Sequence, residues 1–149
     1  MNSPSARPWV LAETPYQYLK DNAYQLAVLP MGATEPHNLH LPYGTDWYEG
    51  TLIGETLCEH AWTQGARPVL LPTMPYGTET NLSRFPLAMN LNPSTLQLVL
   101  ADLVESVERS GIRKMIILNS HGGNDFKPVL RELATRTKVH LFLCSWYTC

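Results

Sequence analysis

The chain has 149 residues, of which 44% are hydrophobic and 16% are charged, and its formal net charge is −2. This composition excludes wholesale disorder and favours one globular domain, residues 1–149, with a single core. The 11 scattered lysines and arginines argue against nucleic acid as a partner, because phosphate binding needs a dense basic face. The low charged fraction also favours self-association.

Cysteine usage and hydropathy bear on the cellular compartment. The spacing of Cys58, Cys144 and Cys149 is not that of a disulfide framework, and the lack of CxxC argues against a thiolate zinc site. The N-terminal sequence shows no basic region followed by an apolar run, and no apolar stretch approaches the roughly 20 residues that span a bilayer. We therefore expect a cytoplasmic protein with no membrane partner.

The predicted elements alternate between helices and strands along the chain. Residues 1–12 are rich in Pro and Ser and predict an arm, and Thr14 caps a short helix that ends near Asn22. Continuous apolar runs predict four buried strands, at residues 26–31, 67–71, 114–119 and 139–145. Helical periodicity, N-caps at Thr45 or Asp46 and at Asn92, and glycine stops predict three further helices, at residues 45–64, 92–110 and 125–136.

This alternation predicts an α/β fold with a mainly parallel sheet between two helical layers. In such sheets ligands bind beyond the carboxyl ends of the strands, near the point where the strand order reverses. With a flavodoxin-like order 2-1-3-4, the first and third strands are neighbours. The loops at residues 32–46 and 119–124 then converge on one site.

The loop after the first strand carries four residues of the types that bind metals. Glu35 and His37 are two apart and project to the same side of an extended segment, and His40 follows. Asp46 lies where the loop meets the next helix, so its carboxylate could bridge two cations. Carboxylate and imidazole ligands together suit zinc, manganese or iron.

His121 arrives from the third strand, and Gly122 and Gly123 allow the backbone to pass close to a ligand. Two divalent ions that share Asp46 would provide the equipment for amide hydrolysis. The alternative is structural: a single histidine is more often structural, which we expect for His60 and His140. Glu35 taken alone could cap a turn.

Residues 72–92 form a long irregular stretch, and loops of this length are usually functional or interfacial. Thr78, Glu79 and Asn81 are candidates to line the rim of a substrate site. Alternatively, the stretch forms a contact between subunits.

The segment LPMGATEPHNLHLPYGTD resembles the creatininase family motif LPxGSxEQHGPHLPLGTD, and NSHGGN resembles the second motif of that family. Trp9 and the FP at residues 85–86 also match family positions. The resemblance covers nearly the whole chain. It implies a metal-dependent amidohydrolase of three-layer α/β fold, commonly hexameric, that acts on a cyclic amide or an N-formyl amide of a small molecule.

The resemblance also implies roles for single residues. Glu35, Asp46 and His121 correspond to ligands of one metal, and His37 and Asp46 to ligands of a second, with Asp46 shared. His40 matches the second histidine of the first motif and would lie in the pocket or behind the metal ligands. Together with Glu35 it is a candidate to move protons in catalysis. Gly122 and Gly123 would lie against the substrate.

Three departures from the family pattern stand out. PHNL at residues 36–39 replaces the usual Gln-His-Gly-Pro, and LA at 87–88 replaces the Gly-Thr that often follows Phe-Pro. Family members are longer, and the part without a counterpart here carries a glutamate of the second metal site and a lid. Some members place a glutamate two residues after the histidine of the second motif, where this chain has Gly123. A fragment, a naturally short variant and a half supplied by a partner all remain open.

Two other functions are weighed against amide hydrolysis. A non-catalytic metal-binding or assembly domain would keep the fold without the full site. A nucleotide-binding α/β domain has little support, because SHGGN is not GxGxxG and no acidic residue follows at the spacing of a ribose site.

Overall fold

A computed structural model describes residues 7–149, and the alternation of helices and strands is confirmed. The strands are β1 (Leu26–Met31), β2 (Pro68–Leu70), β3 (Lys114–Asn119) and β4 (His140–Ser145). The helices are α1 (Tyr16–Asp21), α2 (Thr45–Thr63), α3 (Pro93–Arg109) and α4 (Phe126–Leu133). Short 3-10 helices lie at Leu11–Glu13, Thr80–Leu82 and Trp146–Thr148.

The four strands form one parallel sheet in the order β2-β1-β3-β4, as the sequence predicts. Met31 at the end of β1 is in register with Asn119 at the end of β3. The Ser120 amide donates to the Met31 carbonyl oxygen at 3.0 Å, a typical hydrogen-bond distance. The loops that follow these two strands therefore start side by side at the carboxyl edge of the sheet.

Side-chain alternation along the strands divides the core into two clusters on opposite faces of the sheet. On one face, Leu29 and Ile117 pack in a cluster with α3 and α4, whose buried residues include Leu100 and Phe126. On the other face, Val28 and Leu118 pack in a cluster with Cys58 of α2. The sheet thus lies between two helical layers, which confirms the predicted three-layer architecture.

The predicted N-terminal arm is wrong where the structure describes it, and its first six residues lie outside the described part. Trp9 and Val10 are buried against the α2 face of the sheet. The Leu70 amide donates to the Trp9 carbonyl oxygen at 2.7 Å, and Val10 forms a parallel bridge with Leu70. The segment covers part of the outer edge of β2. Burial of the Trp9 indole and pairing of an edge-strand amide stabilise this position, in spite of the loop-like composition of the segment.

Several predicted helix ends shift by a few residues. α1 begins after Pro15, and the Thr14 hydroxyl donates to the Val10 carbonyl instead of capping the helix. Gly44 occupies the N-cap of α2, so Asp46 lies within the first turn and its carboxylate is available for other contacts. Asn92 precedes Pro93 as predicted, but its side chain accepts from Asn90 and makes no cap bond.

The middle stretch, residues 72–92, is pinned over the carboxyl end of β1. Met74 bridges to Met31, and Gly77 bridges to Asn90. The Met89 amide donates to the Thr34 carbonyl oxygen at 3.0 Å. These bonds hold the short 3-10 helix Thr80–Leu82, and the two residues before it, above the end of the sheet. No helix among the described residues is long and apolar enough to cross a membrane.

Candidate metal centre

The carboxylate of Asp46 joins the two loops at the carboxyl edge of the sheet. It is buried in the first turn of α2, where the positive end of the helix dipole stabilises a negative charge. Its Oδ1 lies 2.8 Å from Nε2 of His37, and its Oδ2 lies 2.8 Å from Nδ1 of His121. Each oxygen thus faces a different histidine, the arrangement expected of a carboxylate that two cations share.

Glu35 completes a compact set of three ligand atoms. Its Oε1 lies 3.1 Å from Nδ1 of His121. One carboxylate oxygen each of Glu35 and Asp46 and one ring nitrogen of His121 all lie within 4.8 Å of one another. Ligands about 2.1 Å from one ion would be separated by about 3.0–3.4 Å, which is close to the contacts seen here. The geometry and the chemistry of the three side chains therefore fit one divalent cation.

His37 approaches the cluster from the same loop as Glu35, as the two-residue spacing predicts. Its Nε2 lies 3.9 Å from Oε1 of Glu35, so it contacts Asp46 more closely than Glu35. Its Nδ1 lies 3.1 Å from the Glu35 carbonyl oxygen, which orients the ring. The loop is closed by an antiparallel bridge between His37 and Leu41. His37 thus contacts the Asp46 oxygen that does not face His121.

The other histidines lie outside the cluster. His40 is exposed and forms no hydrogen bond or ion pair with the described residues, so its catalytic role stays a prediction without a supporting contact. His60 contacts Gln64 on the surface of α2, and His140 is exposed in β4.

Two buried asparagines of the NSHGGN segment connect the loops around His121. Asn119 Oδ1 accepts from the His121 amide at 3.2 Å. Asn124 Oδ1 accepts from the Thr78 amide at 3.0 Å, and its Nδ2 donates to the Gly32 carbonyl at 3.4 Å. Neither asparagine has a role predicted from the sequence. Their places at the two ends of the segment are the signal that could have found them.

Gly122 and Gly123 differ in their surroundings although both are exposed. A Cβ at Gly122 would meet nothing within 4 Å. A Cβ at Gly123 would lie 2.3 Å from Nε2 of His121 and 2.5 Å from the Thr78 carbonyl oxygen. Gly123 is thus tightly packed against the protein itself, while close approach of either glycine to a ligand or substrate stays a prediction.

The three candidate rim residues occupy different depths. Asn81 is exposed and Thr78 is half-buried, whereas Glu79 is completely buried, so the expectation that Glu79 lines the rim is wrong. Its Oε1 lies 2.9 Å from Nε2 of His121. The packing of residues 72–92 against β1 drives this carboxylate inward, which the sequence pattern of an irregular loop does not reveal. Substrate contacts of Thr78 and Asn81 stay predictions.

The cluster perturbs the acidity of its buried members. Burial and the neighbouring Glu35 carboxyl raise the pKa of Glu79 to about 8. Burial opposes charge on His121, but the hydrogen bond to Asp46 and the nearby carboxylates outweigh it and raise its pKa to about 9. Three carboxyl groups therefore surround one imidazole, and a cation bound among them would favour their ionised forms.

A cavity of about 1010 Å³ opens between the segment after β1 and the middle stretch, and none of Glu35, Asp46 or His121 lines it. Thr34 and Trp47, the chain neighbours of Glu35 and Asp46, line it. Aromatic and apolar residues of the loop after β1 and of the middle stretch complete the lining: Tyr43, Tyr76, Leu87 and Met89. Its volume is that of a pocket for a small molecule.

Comparison with a family model decides the assignment of the chain. Residues 13–149 match the model described as "Creatininase: Creatinine amidohydrolase". This chain belongs to the creatininase family. The fold and the two motif loops are therefore shared with creatininases, as their resemblance predicts.

Curated relatives cover two activities. Over 100 residues the chain is 29% identical to the mycofactocin precursor peptide peptidase of Mycolicibacterium smegmatis, a match that spans 66% of this chain and 40% of the relative. Over 102 residues it is 26% identical to the creatinine amidohydrolase of Pseudomonas putida, spanning 65% of this chain and 37% of the relative. The match thus covers well under half of either curated relative.

Solved structures agree with the fold. A predicted creatinine amidohydrolase from Bacteroides fragilis superposes with a TM-score of 0.85 at 32% identity, covering 99% of this chain and 58% of that one. A creatininase described with manganese gives a TM-score of 0.78 at 20% identity over 94% of this chain and 59% of that one, which shows a shared fold. Another creatininase is described as a Zn-Zn type. The metals named for these two creatininases, the second of which is a mutant, are manganese and zinc.

Proposed function

We propose that this chain is a metal-dependent amidohydrolase of the creatininase type, acting on a cyclic amide or an N-formyl amide of a small molecule. The observation that carries the proposal is the Asp46 carboxylate, with one oxygen 2.8 Å from His37 and the other 2.8 Å from His121. Membership of the creatininase family supports it, and so does the cavity lined by Thr34 and Trp47, the chain neighbours of Glu35 and Asp46. The bond broken would be a C–N bond other than a peptide bond.

In this proposal Glu35, Asp46 and His121 hold a first divalent cation, zinc or alternatively manganese or iron. His37 and Asp46 would hold a second. Such cations supply Lewis acidity toward a carbonyl oxygen and acidify a nearby water. Glu35 would accept a proton from the attacking water and return it to the leaving nitrogen, with His40 as the other candidate for this role. Trp47 and Tyr43 would hold the substrate in the cavity that they line.

The test is hydrolysis of creatinine and of N-formyl compounds by the full chain with added zinc or manganese. Turnover that is lost in Asp46→Ala supports the proposal. A short peptide belongs in the same panel, because four curated relatives are peptidases. Cleavage of the peptide alone would overturn the proposed substrate class.

A non-catalytic metal-binding or assembly domain is the second candidate. The observation that favours it is Gly123, which stands where some family members place a glutamate of the second metal site, in a chain that covers 58% of the Bacteroides fragilis structure. Zinc bound at the cluster without turnover of any of these substrates would support this candidate over the first.

We also propose that the chain self-associates, with the hexamer of the resemblance as the reference state. Several large apolar side chains are strongly exposed, among them Leu39 at 99% and Leu87 at 80%. Such side chains mark association surfaces when they form continuous patches. Sedimentation at micromolar concentration tests this, and a clean monomer would contradict it.

A further inference from the structure

Glu79 is the buried acidic group of the site that the proposed metal ligands do not explain. Its side chain has no solvent exposure, and no hydrogen bond from the described residues reaches either carboxylate oxygen. A buried carboxylate is costly unless a positive group compensates it. The contact available for this is Nε2 of His121, which lies 2.9 Å from Oε1 of Glu79.

The two nitrogens of His121 face different groups. Nδ1 faces the proposed cation position, with Asp46 Oδ2 at 2.8 Å and Glu35 Oε1 at 3.1 Å. Nε2 faces the Thr78 carbonyl oxygen at 3.2 Å and Glu79 Oε1 at 2.9 Å. Both neighbours of Nε2 are acceptors, and so are both neighbours of Nδ1. A cation at the Nδ1 position would decide the tautomer, because it would take the Nδ1 lone pair and leave the proton of the neutral ring on Nε2.

The backbone holds Glu79 firmly in this position. Asn90 Oδ1 accepts from the Glu79 amide at 2.7 Å, and Asn124 Oδ1 accepts from the preceding Thr78 amide at 3.0 Å. Gly123 packs so closely that a Cβ there would lie 2.5 Å from the Thr78 carbonyl oxygen. On the Nε2 side of the ring, the space that a side chain at residue 123 would need is thus taken by the Thr78–Glu79 segment.

We propose that Glu79 is a positioning residue of the metal centre. Thr78 accepts the hydrogen bond from Nε2–H of His121, and the Glu79 carboxylate stabilises that proton electrostatically, so that Nδ1 is kept free for the cation. A carboxylate behind a ligating imidazole fixes its tautomer and makes it a stronger ligand. This inference rests on the proposed metal site but does not require hydrolysis.

The first test measures the zinc affinity of the full chain by competition with a chromophoric chelator. We expect Glu79→Gln, which keeps the size and removes the charge, to weaken zinc binding by about 10- to 100-fold. Glu79→Asp keeps the charge and should recover part of the loss. Glu49→Gln is the matched control: it removes an exposed glutamate one turn after Asp46 on α2 and should leave the affinity unchanged.

Zinc affinity of Glu79→Gln within about twofold of the wild type would overturn the proposal, because groups that orient a ligating histidine contribute more than this. If Asp46→Asn loses zinc binding while Glu79→Gln keeps the wild-type zinc affinity, the metal site exists and only the proposed role of Glu79 is wrong. If circular dichroism shows that Glu79→Gln is unfolded, the proposal is tested by the nitrogen-15 spectrum of the wild-type protein, described next.

The second test is the nitrogen-15 spectrum of histidine-labelled, zinc-loaded protein. We expect His121 to be bound through Nδ1 and to carry its proton on Nε2, a signature that a merely structural Glu79 would not require. Zinc bound through Nε2 would overturn the proposal, because Glu79 would then lie beside the ion as a direct ligand.

Discussion

At the scale of single residues, Asp46 and Gly123 show how the site depends on position more than on residue type. Asp46 is one residue into α2, which directs its buried carboxylate toward both histidines while the helix dipole stabilises its charge. Gly123 lies in an open loop, yet the space where a side chain would start is filled by His121 and Thr78. One added methyl group should therefore have opposite effects at the two adjacent glycines.

We expect Gly123→Ala to lower the free energy of unfolding by about 1–3 kcal/mol, because its Cβ would meet a ring nitrogen and a backbone oxygen that are both held in place. Gly122→Ala is the control, and it should keep or slightly raise the stability because nothing lies within 4 Å. Urea denaturation of the two variants measures this difference. Equal urea midpoints for the two variants would contradict this expectation, because they would show that the segment around Thr78 shifts to accommodate the added methyl group.

At the scale of elements, α3 stabilises one face of the sheet through a regular apolar stripe. Leu96, Leu100 and Val104 are buried against the core, whereas Leu98 on the opposite side is 67% exposed. The period of this stripe made α3 predictable from sequence, since one helical face has to be buried.

Leu100→Ala should lower the free energy of unfolding by about 2–5 kcal/mol, because the side chain is fully buried and leaves a cavity. Leu98→Ala has the same change in helix propensity and should alter stability by no more than about 0.5 kcal/mol. Thermal and chemical denaturation compare the two. A similar loss in both would place Leu98 in a contact with another subunit.

The end of α3 is connected to the turn before β4 through Glu108. Its carboxylate accepts from the Thr137 hydroxyl and from the Lys138 amide at 3.2 Å, which lowers its pKa below the usual value. A depressed acid stabilises the fold above its unfolded pKa and loses this contribution as the pH falls through the folded pKa. Glu108→Gln should therefore be less stable than the wild type at neutral pH, and the difference should narrow in acid, below a pH of about 4.

Denaturation midpoints of both proteins measured from neutral to acid pH test this expectation. A difference that stays constant across the range would mean that the charge of Glu108 contributes nothing and that only its shape matters.

The elements also show which parts of the fold could be predicted from sequence. Strands β1 and β3 are continuous apolar runs followed by polar loops, so their burial and their shared edge were predictable. The pairing of Val10 with Leu70 depends on the free edge of β2, which a loop-like composition conceals. The predicted side-chain caps are absent because Thr14 and Asn92 bond to other partners than the helix amides, although Asn92 keeps its place directly before α3.

At the scale of the whole molecule, three loops that are distant in sequence meet at one edge of the sheet. The sequence predicted two of them, because their ligand-type residues directly follow buried strands. The third contribution, Glu79, comes from residues 72–92, whose course depends on bridges to β1 and on Asn90 and Asn124. No local pattern encodes such long-range bonds, so the buried carboxylate could be found only in the folded chain.

A cation bound at this junction should stabilise the whole domain, because it links the loops after β1 and β3. At a free zinc concentration about 100-fold above Kd, we expect about 2.7 kcal/mol and a rise in Tm of about 5–10 °C, reversed by a chelator. Asp46→Asn is the control and should show no rise. A chelator that leaves the Tm of zinc-treated wild-type protein unchanged would contradict the linkage.

The central claim is that Glu35, Asp46 and His121 together bind a divalent cation. The most direct measurement is anomalous scattering at the zinc edge from crystals of the zinc-loaded chain, combined with the zinc content per chain in solution. We predict an ion about 2.0–2.2 Å from a carboxylate oxygen of Glu35, from Asp46 Oδ2 and from Nδ1 of His121. An anomalous map with no peak at this cluster, from protein that holds zinc elsewhere or holds none, would contradict the account.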